Sequence, residues 1–277
     1  MKPFFSIIIP TLNEELFITN LLENLRSQKL KNFETIVVDA KSKDKTRETI
    51  LKYKKKLNIK LFQINKKNVS CQKNFGADKA KSKYLIFIDA DSKIKKTFTK
   101  SFQSEIERKK GLVFFPYVEP EEKTPQMKAI YQFLNFIIDL SQKTNNPYSS
   151  VGCMCLEKNF FNSIGGFDEK LFINEDYNIA KKASDWGVRG IHLPNIKFTA
   201  SFRKIKKEGK LKSLYKLIVG SSYYLFKGDV KKKIYNWEMG GHVYNKQDLK
   251  EKKAKLVKLD LNKIKKYLKD FISDIES

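Results

Sequence analysis

Two aspartates one residue apart, Asp89 and Asp91, close the apolar run Tyr84-Leu85-Ile86-Phe87-Ile88. Side chains alternate along a strand, so positions two apart are expected on one face. Carboxylates crowded there repel one another unless a cation lies close, and Mg²⁺ or Mn²⁺ takes oxygen ligands and bridges to substrate phosphates. The spacing suits a metal-pyrophosphate site, although two acids after a strand also serve as a plain polar turn. Asp39 closes a second run, Glu34 to Asp39, where a carboxylate can accept an N–H or O–H from a base or ribose. The segment that follows, Ala40-Lys41-Ser42-Lys43-Asp44-Lys45-Thr46, also holds helix-capping residues in Ser42 and Asp44. A fourth acid, Asp176 in Asn174-Glu175-Asp176-Tyr177, opens a helical stretch, where it complements the helix dipole and is equally available for proton transfer. Lys66-Lys67-Asn68 and Gln72-Lys73-Asn74 offer positive charge and amides to phosphates, or else to solvent.

The elements that must position these residues are short. Runs at Phe5–Pro10, Glu34–Asp39, Lys60–Ile64 and Tyr84–Asp89 read as strands, with helices near 14–28, 44–56 and 70–81 between them. Such alternation predicts an α/β fold whose mostly parallel, nucleotide-binding sheet is flanked by helices. Ligands of these sheets sit beyond the carboxyl ends of the strands. Those ends carry Pro10-Thr11-Leu12-Asn13-Glu14, Asp39 and Asp89-Ala90-Asp91. The second half is expected to hold a strand near 112–117, an apolar-faced helix near 126–142, a strand near 149–156 and a helix from Asn174 to about Trp186, preceded by the turn Gly165-Gly166-Phe167-Asp168-Glu169.

A length of 277 residues with 41% apolar content supports one catalytic domain, expected over 1–203, and an appendage over 204–277. The net charge of +25 draws phosphates, nucleic acid or an anionic bilayer, and is equally what a lysine-rich solvated surface produces. A nucleic-acid-binding module would need a basic patch interleaved with exposed aromatics on a recognised motif, and none is present, so no nucleic acid is expected as partner. Three cysteines, Cys71, Cys153 and Cys155, with two histidines and no C-x-x-C spacing, do not make a zinc site and point to a reducing cytosol. The opening apolar stretch is too short for a signal peptide, and no run approaches the roughly 20 residues that span a bilayer, so a cytoplasmic protein, soluble or peripheral, is expected. The appendage carries 20 Lys and 9 acids. Within it Val257, Leu261, Ile264, Leu268, Phe271 and Ile275 form a helical seam among lysines, suited to its own domain, to pairing as a coiled coil or to an anionic membrane face. His192 alternates with apolar neighbours and is expected to be packed or edge-exposed. His242 gives no indication. Arg203 is a candidate phosphate contact or part of a basic surface.

Taken in order, Ser6-Ile7-Ile8-Ile9-Pro10-Thr11-Leu12-Asn13-Glu14, Val37-Val38-Asp39-Ala40-Lys41-Ser42-Lys43-Asp44-Lys45-Thr46, Lys73-Asn74-Phe75-Gly76-Ala77, Phe87-Ile88-Asp89-Ala90-Asp91, Gly165-Gly166-Phe167-Asp168 and Glu175-Asp176 resemble the inverting family 2 glycosyltransferases of GT-A fold. The resemblance covers about residues 5–200. It implies transfer of a sugar from a nucleotide-diphosphate donor, UDP- or GDP-linked, to the hydroxyl of a carbohydrate or lipid-linked acceptor. Pro10, Thr11, Glu14, Asp39, Lys73, Asp89 and Ala90 would border the donor, Asp89 and Asp91 would hold Mg²⁺ or Mn²⁺, and Asp176 would be the catalytic base. Lys41 stands where the family usually has a small glycine, so the turn is either rearranged or aims the lysine at donor phosphates. Lys73 replaces a common arginine, keeping the charge and losing bidentate geometry. The nearest enzyme alternative, a nucleotidyltransferase, usually opens with a Gly-rich loop after the first strand, and Pro10-Thr11-Leu12-Asn13-Glu14 has no glycine.

Overall fold

The computed structural model describes residues 2–201 apart from Asn145, Ser150, Val151 and Phe172. The predicted appendage, its helical seam, Arg203 and His242 lie outside the described residues. Strands β1 (Phe5–Thr11), β2 (Phe33–Asp39), β3 (Ile59–Gln63) and β4 (Tyr84–Ile88) alternate with helices α1 (Ile18–Arg26), α2 (Thr46–Leu51) and α3 (Val69–Lys79). There follow β5 (Lys93–Ile94), α4 (Phe98–Lys109), β6 (Val113–Glu119), α5 (Pro125–Ser141), β7 (Cys153–Glu157), α6 (Lys158–Ser163), α7 (Glu175–Asp185) and β8 (Ile191–Thr199). Of these, β5, α4 and α6 are not anticipated from the sequence.

The strands join in the order β3-β2-β1-β4-β7-β6-β8-β5. The first four are mutually parallel, as the alternation predicts. Beyond β4 the sheet is mixed: β7 runs antiparallel to both β4 and β6, β8 is parallel to β6, and β5 is antiparallel to β8. Successive side chains enter opposite layers. Ile7 and Ile9 of β1, Ile86 and Ile88 of β4 and Cys153 and Cys155 of β7 pack with α1 and α4 on one face. Ile8, Leu85, Phe87, Met154 and Leu156 pack with Ala77 of α3, Phe160 and Phe161 of α6 and Ile179, Ala180 and Ala183 of α7 on the other. That two-sided burial explains why these strands read as continuous apolar runs.

Two local details fix the rim. Pro10 lacks an N–H, yet sits inside β1 without cost to the β4 ladder, because the β1–β4 register ends at Ile8↔Phe87. Gly76 of α3 lies over β1 so closely that a Cβ there would stand 2.5 Å from Ile8 Cγ2. The glycine thus lets α3 approach the sheet and carries its neighbours Gln72 and Lys73 to the carboxyl ends of the strands.

Candidate active site

β1 and β4 are the strands between which the order reverses, where a crevice forms at the carboxyl edge of an α/β sheet. On its β2 side the loops after β1 and β2 are laced together. Thr11 Oγ1 donates to Asp39 Oδ1 at 3.2 Å, Ser42 Oγ donates to the same oxygen, and Ser42 N donates to Asp39 Oδ2 at 3.0 Å. Asn13 N donates to Ser42 Oγ at 2.8 Å, and Lys43 N donates to Asn13 Oδ1 at 2.7 Å. Glu14 N reaches Thr46 Oγ1 at 2.7 Å. Gln72 ties the two strand ends from above, its Nε2 donating to Thr11 O at 2.8 Å and Val38 O at 2.7 Å. Pro10, Thr11, Glu14, Asp39 and Ala90 are all buried, so they form the floor of the crevice.

Lys41, exposed, keeps the left-handed backbone that a glycine would favour, with φ of 55°. The turn is therefore not rearranged, and the lysine carries the strain of that conformation. Lys66 pairs with Glu169 at 2.6 Å, an exposed ion pair at the edge of the molecule.

The other side of the crevice is acidic. Ladder pairing of β4 ends at Ile88↔Cys153, and Ser92 N donates to Asp89 O at 3.0 Å, closing a turn. The proximity of Asp89 and Asp91 therefore comes from this turn and not from strand alternation, which corrects the pleat argument while keeping the two acids together. Both are partly exposed. Asp176, in the first turn of α7, is buried at 3% exposure. Lys73 Nζ, 2% exposed, donates to Asp176 Oδ1 at 2.7 Å and to Glu175 Oε1 at 3.0 Å, and lies 4.9 Å from the Phe167 ring centroid. Asn74, next in α3, clasps the Gly165-Gly166-Phe167 turn: its Nδ2 donates to Phe167 O and its Oδ1 accepts from Phe167 N, each at 2.9 Å.

Gly152 joins the acids. Its N–H donates to Asp176 Oδ2 at 3.1 Å and its carbonyl accepts from Asp89 N at 3.0 Å. Its φ is +93°, and a Cβ there would stand 3.0 Å from Asp89 Oδ2. Sequence reasoning missed this residue; Gln72 it did single out, for phosphates, whereas its amide ties the ends of β1 and β2. The available signal was a lone glycine directly before the β7 run in a stretch, 112–164, with no other.

Charge follows from this packing. Burial disfavours the Lys73 ammonium, but Asp176, Glu175 and Asp89 outweigh that and hold it firmly protonated. Asp89 is pushed up to about 7, first by burial and then, against the pull of Lys73, by Asp91, Asp176 and Glu175. Asp176 is raised as well: burial lifts it, Lys73 pulls it back and Glu175 adds to the lift. Three carboxylates, Asp176, Glu175 and Asp89, thus surround Lys73, with Asp91 beside Asp89, an excess of hard anionic oxygen that a divalent cation would relieve, so the donor chemistry fits Mg²⁺ or Mn²⁺. Among the described residues no group of three or more His, Cys, Asp or Glu is arranged to hold a metal. A cation held by Asp89 and Asp91 would complete its shell with phosphate oxygens and water, as Mg²⁺ commonly does.

His192 is buried on β8, as expected of a packed residue. Its Nδ1 lies 2.9 Å from Asp139 Oδ1, and its ring lies tilted against that of Tyr117, with centroids 4.1 Å apart. Asp139 also accepts from the Tyr117 hydroxyl.

A parallel β3-β2-β1-β4 unit with acids at the β2 and β4 ends, extended by a mixed half that returns a further acid, is a nucleotide-binding architecture of GT-A type. The chain matches the model of glycosyl transferase family 2 over residues 6–165, and it belongs to that family. It is 38% identical over 96 residues to poly(ribitol-phosphate) β-N-acetylglucosaminyltransferase TarS of Staphylococcus aureus, a match covering 33% of this chain and 17% of TarS. The structure of TarS residues 1–349 with UDP-GlcNAc superposes with a TM-score of 0.57 at 24% identity, covering 80% of this chain and 67% of that one. The mannosyltransferase PcManGT of Pyrobaculum calidifontis, solved with GDP-Man and Mn²⁺, gives 0.66 at 18% identity, covering 82% and 65%. Both likenesses establish the GT-A fold.

Proposed function

We propose that the chain is an inverting glycosyltransferase that moves a sugar from a nucleotide-diphosphate donor to an acceptor hydroxyl. The observation that carries this is the convergence of Asp89, beyond β4, and Asp176, at the start of α7, on the single residue Gly152. A donor lying on the floor of Pro10, Thr11, Glu14, Asp39 and Ala90 would bring its diphosphate to Asp89 and Asp91. Mg²⁺ or Mn²⁺ held there would neutralise charge on the departing diphosphate. Asp176 serves as the base. Two of its roughly four lone-pair positions are taken by Lys73 and Gly152, and the rest remain for the acceptor hydroxyl. Its raised affinity for a proton suits that work. Lys73 holds the acid in place and offsets the charge of the empty pocket. Attack opposite the leaving group inverts the anomeric centre. Family membership and the glycine-free loop after β1 favour this reading over nucleotidyl transfer or nucleic-acid binding.

The donors carried by the two solved relatives make UDP- and GDP-sugars the first to try. The charge of +25 suits an anionic acceptor, such as the polyol phosphate in the name of TarS or a lipid-linked phosphate. We assign residues 1–203 to the catalytic domain and 204–277 to a basic extension that brings a cytoplasmic enzyme to an anionic membrane face, with Arg203 as a phosphate contact. The test is a donor screen with UDP-, GDP- and dTDP-sugars and added Mn²⁺, read by released nucleoside diphosphate. One donor should turn over, and Asp176→Asn and Asp91→Ala should each lower kcat by about 10²–10⁴-fold with unchanged circular dichroism. Ordinary turnover in either variant would sink the assignment.

A further inference from the structure

Helix α5 is built inside out. Two of its polar residues bond to the protein: Asn135, 4% exposed, accepts from Val118 N at 3.1 Å and donates to Val118 O at 2.9 Å, and Asp139 engages Tyr117 and His192. Four of its large apolar residues face outward: Ile130, Phe133, Phe136 and Leu140 are 50, 62, 58 and 50% exposed, while Leu134, Ile137 and Ile138 are partly buried. A surface helix normally does the reverse. The four stripe residues are uncharged; Lys128 and Asp139 are the helix's sole ionic side chains, and Asp139, its side chain 40% exposed, is engaged by Tyr117 and His192. Lys123 before the helix, Lys128 on it and Lys143 after it are all exposed, as are Glu121 and Glu122 before it.

Side chains of this size at these exposures present roughly 400–500 Å² of apolar surface. That is large for one patch on a monomer, yet short of the ~800 Å² per partner that a stable dimer buries. A bilayer needs no matching protein surface, and a chain of +25 charge is drawn to anionic headgroups, with Lys123, Lys128 and Lys143 near the stripe offsetting Glu121, Glu122 and Asp139. We propose that α5 is a membrane-docking helix, inserting Ile130, Phe133, Phe136 and Leu140 at the surface of an anionic bilayer. This docking stands apart from the basic extension, because every residue in it lies within 123–143.

The helix is joined to the acidic pocket. Gln142, just past its end, donates to Tyr148 O, and the Tyr148 ring meets Tyr177, the neighbour of Asp176, edge-on at 5.0 Å. Docking therefore sets the pocket beside the headgroup layer. That benefit to a lipid-linked acceptor rests on the glycosyltransferase reading, whereas the docking itself does not.

The test uses the full chain with phosphatidylcholine vesicles, with and without phosphatidylglycerol. The wild type should sediment with the anionic vesicles. Phe133→Ser/Phe136→Ser, at exposed positions, should bind them at least about tenfold more weakly, while Leu51→Ser/Trp186→Ser, exposed apolar positions elsewhere, should bind as the wild type does. Phe133→Trp should be quenched by brominated acyl chains. Undiminished sedimentation of the Phe133/Phe136 variant overturns the proposal. So does a Phe133→Trp indole that bromolipid does not quench, or one already shielded before vesicles are added, which would place the chain's own extension or a second copy on the stripe. None of these readings uses donor turnover, so failure here and failure of the glycosyltransferase assignment are separate results.

Discussion

The two walls of the crevice are held by different forces. On the β2 side, Thr11, Asn13, Asp39, Ser42 and Gln72 satisfy one another through hydrogen bonds of neutral donors to a buried carboxylate and to strand-end carbonyls. On the α7 side, Asp89, Glu175 and Asp176 surround Lys73, with Asp91 beside Asp89. The first wall is finished without a ligand. The second gathers several acids about one buried cation, Lys73, which pairs with Glu175 and Asp176. Two walls of one crevice can thus differ in what they require to stay folded.

That contrast is most sharply tested by Lys73→Met. Leaving Asp176 buried and unpaired should lower stability by about 3 kcal/mol or more near neutral pH, read by chemical denaturation. With Lys73 gone, the folded-state pKa of Asp176 rises further above its unfolded value. The penalty should therefore be absent below about pH 4 and grow as pH rises through the folded value. A pH-independent loss would mean that packing, not charge, holds this wall. Next in size is Gly152→Ala, which forces a side chain into φ of +93° against Asp89 and should cost about 2 kcal/mol. If the wall instead tolerates alanine, Gly152 does not set the spacing of the two acids. On the finished wall the expected change has the opposite sign. Lys41→Gly relieves a left-handed residue and should raise stability by about 0.5–1 kcal/mol without altering the hydrogen bonds around Asp39.

The smallest effect lies outside both walls. Burial lowers the His192 pKa from its ordinary 6.5, with Asp139 pulling the other way. Protonation then favours the unfolded chain. Stability from this residue is intact above about pH 6.5 and falls as pH drops through the folded value. His192→Phe should flatten that acid-side slope, and an unchanged slope would assign it to the crevice acids.

Much of this arrangement could be read from sequence where burial is two-sided and local. β1, β2 and β4 fall within one residue of their expected limits, because continuous β-branched runs leave little choice. α5 and α7 are equally close. α4 escaped because Phe98, Phe102 and Ile106 lie in a stretch otherwise rich in Lys, Glu, Ser and Thr, and β5, two residues long, has no period to detect. The acids at strand ends were legible one by one. Their mutual geometry was not, since Lys73 and Asp176 are 103 positions apart and Gly152 acts through its backbone. Nor does periodicity say which face of a helix turns inward: α5 read as apolar-faced, and only tertiary structure shows that face pointing away from the protein.

Gly152 has one more consequence, a spectroscopic one. Its amide proton lies on Asp176 Oδ2, so its resonance should move with the charge of that carboxyl, while the Asp89 amide, donating to the Gly152 carbonyl, should follow more weakly. Two backbone signals on neighbouring strands then form an internal electrometer for the pocket. It can be read as metal, donor and acceptor are added in turn, with no label placed on any acid it observes.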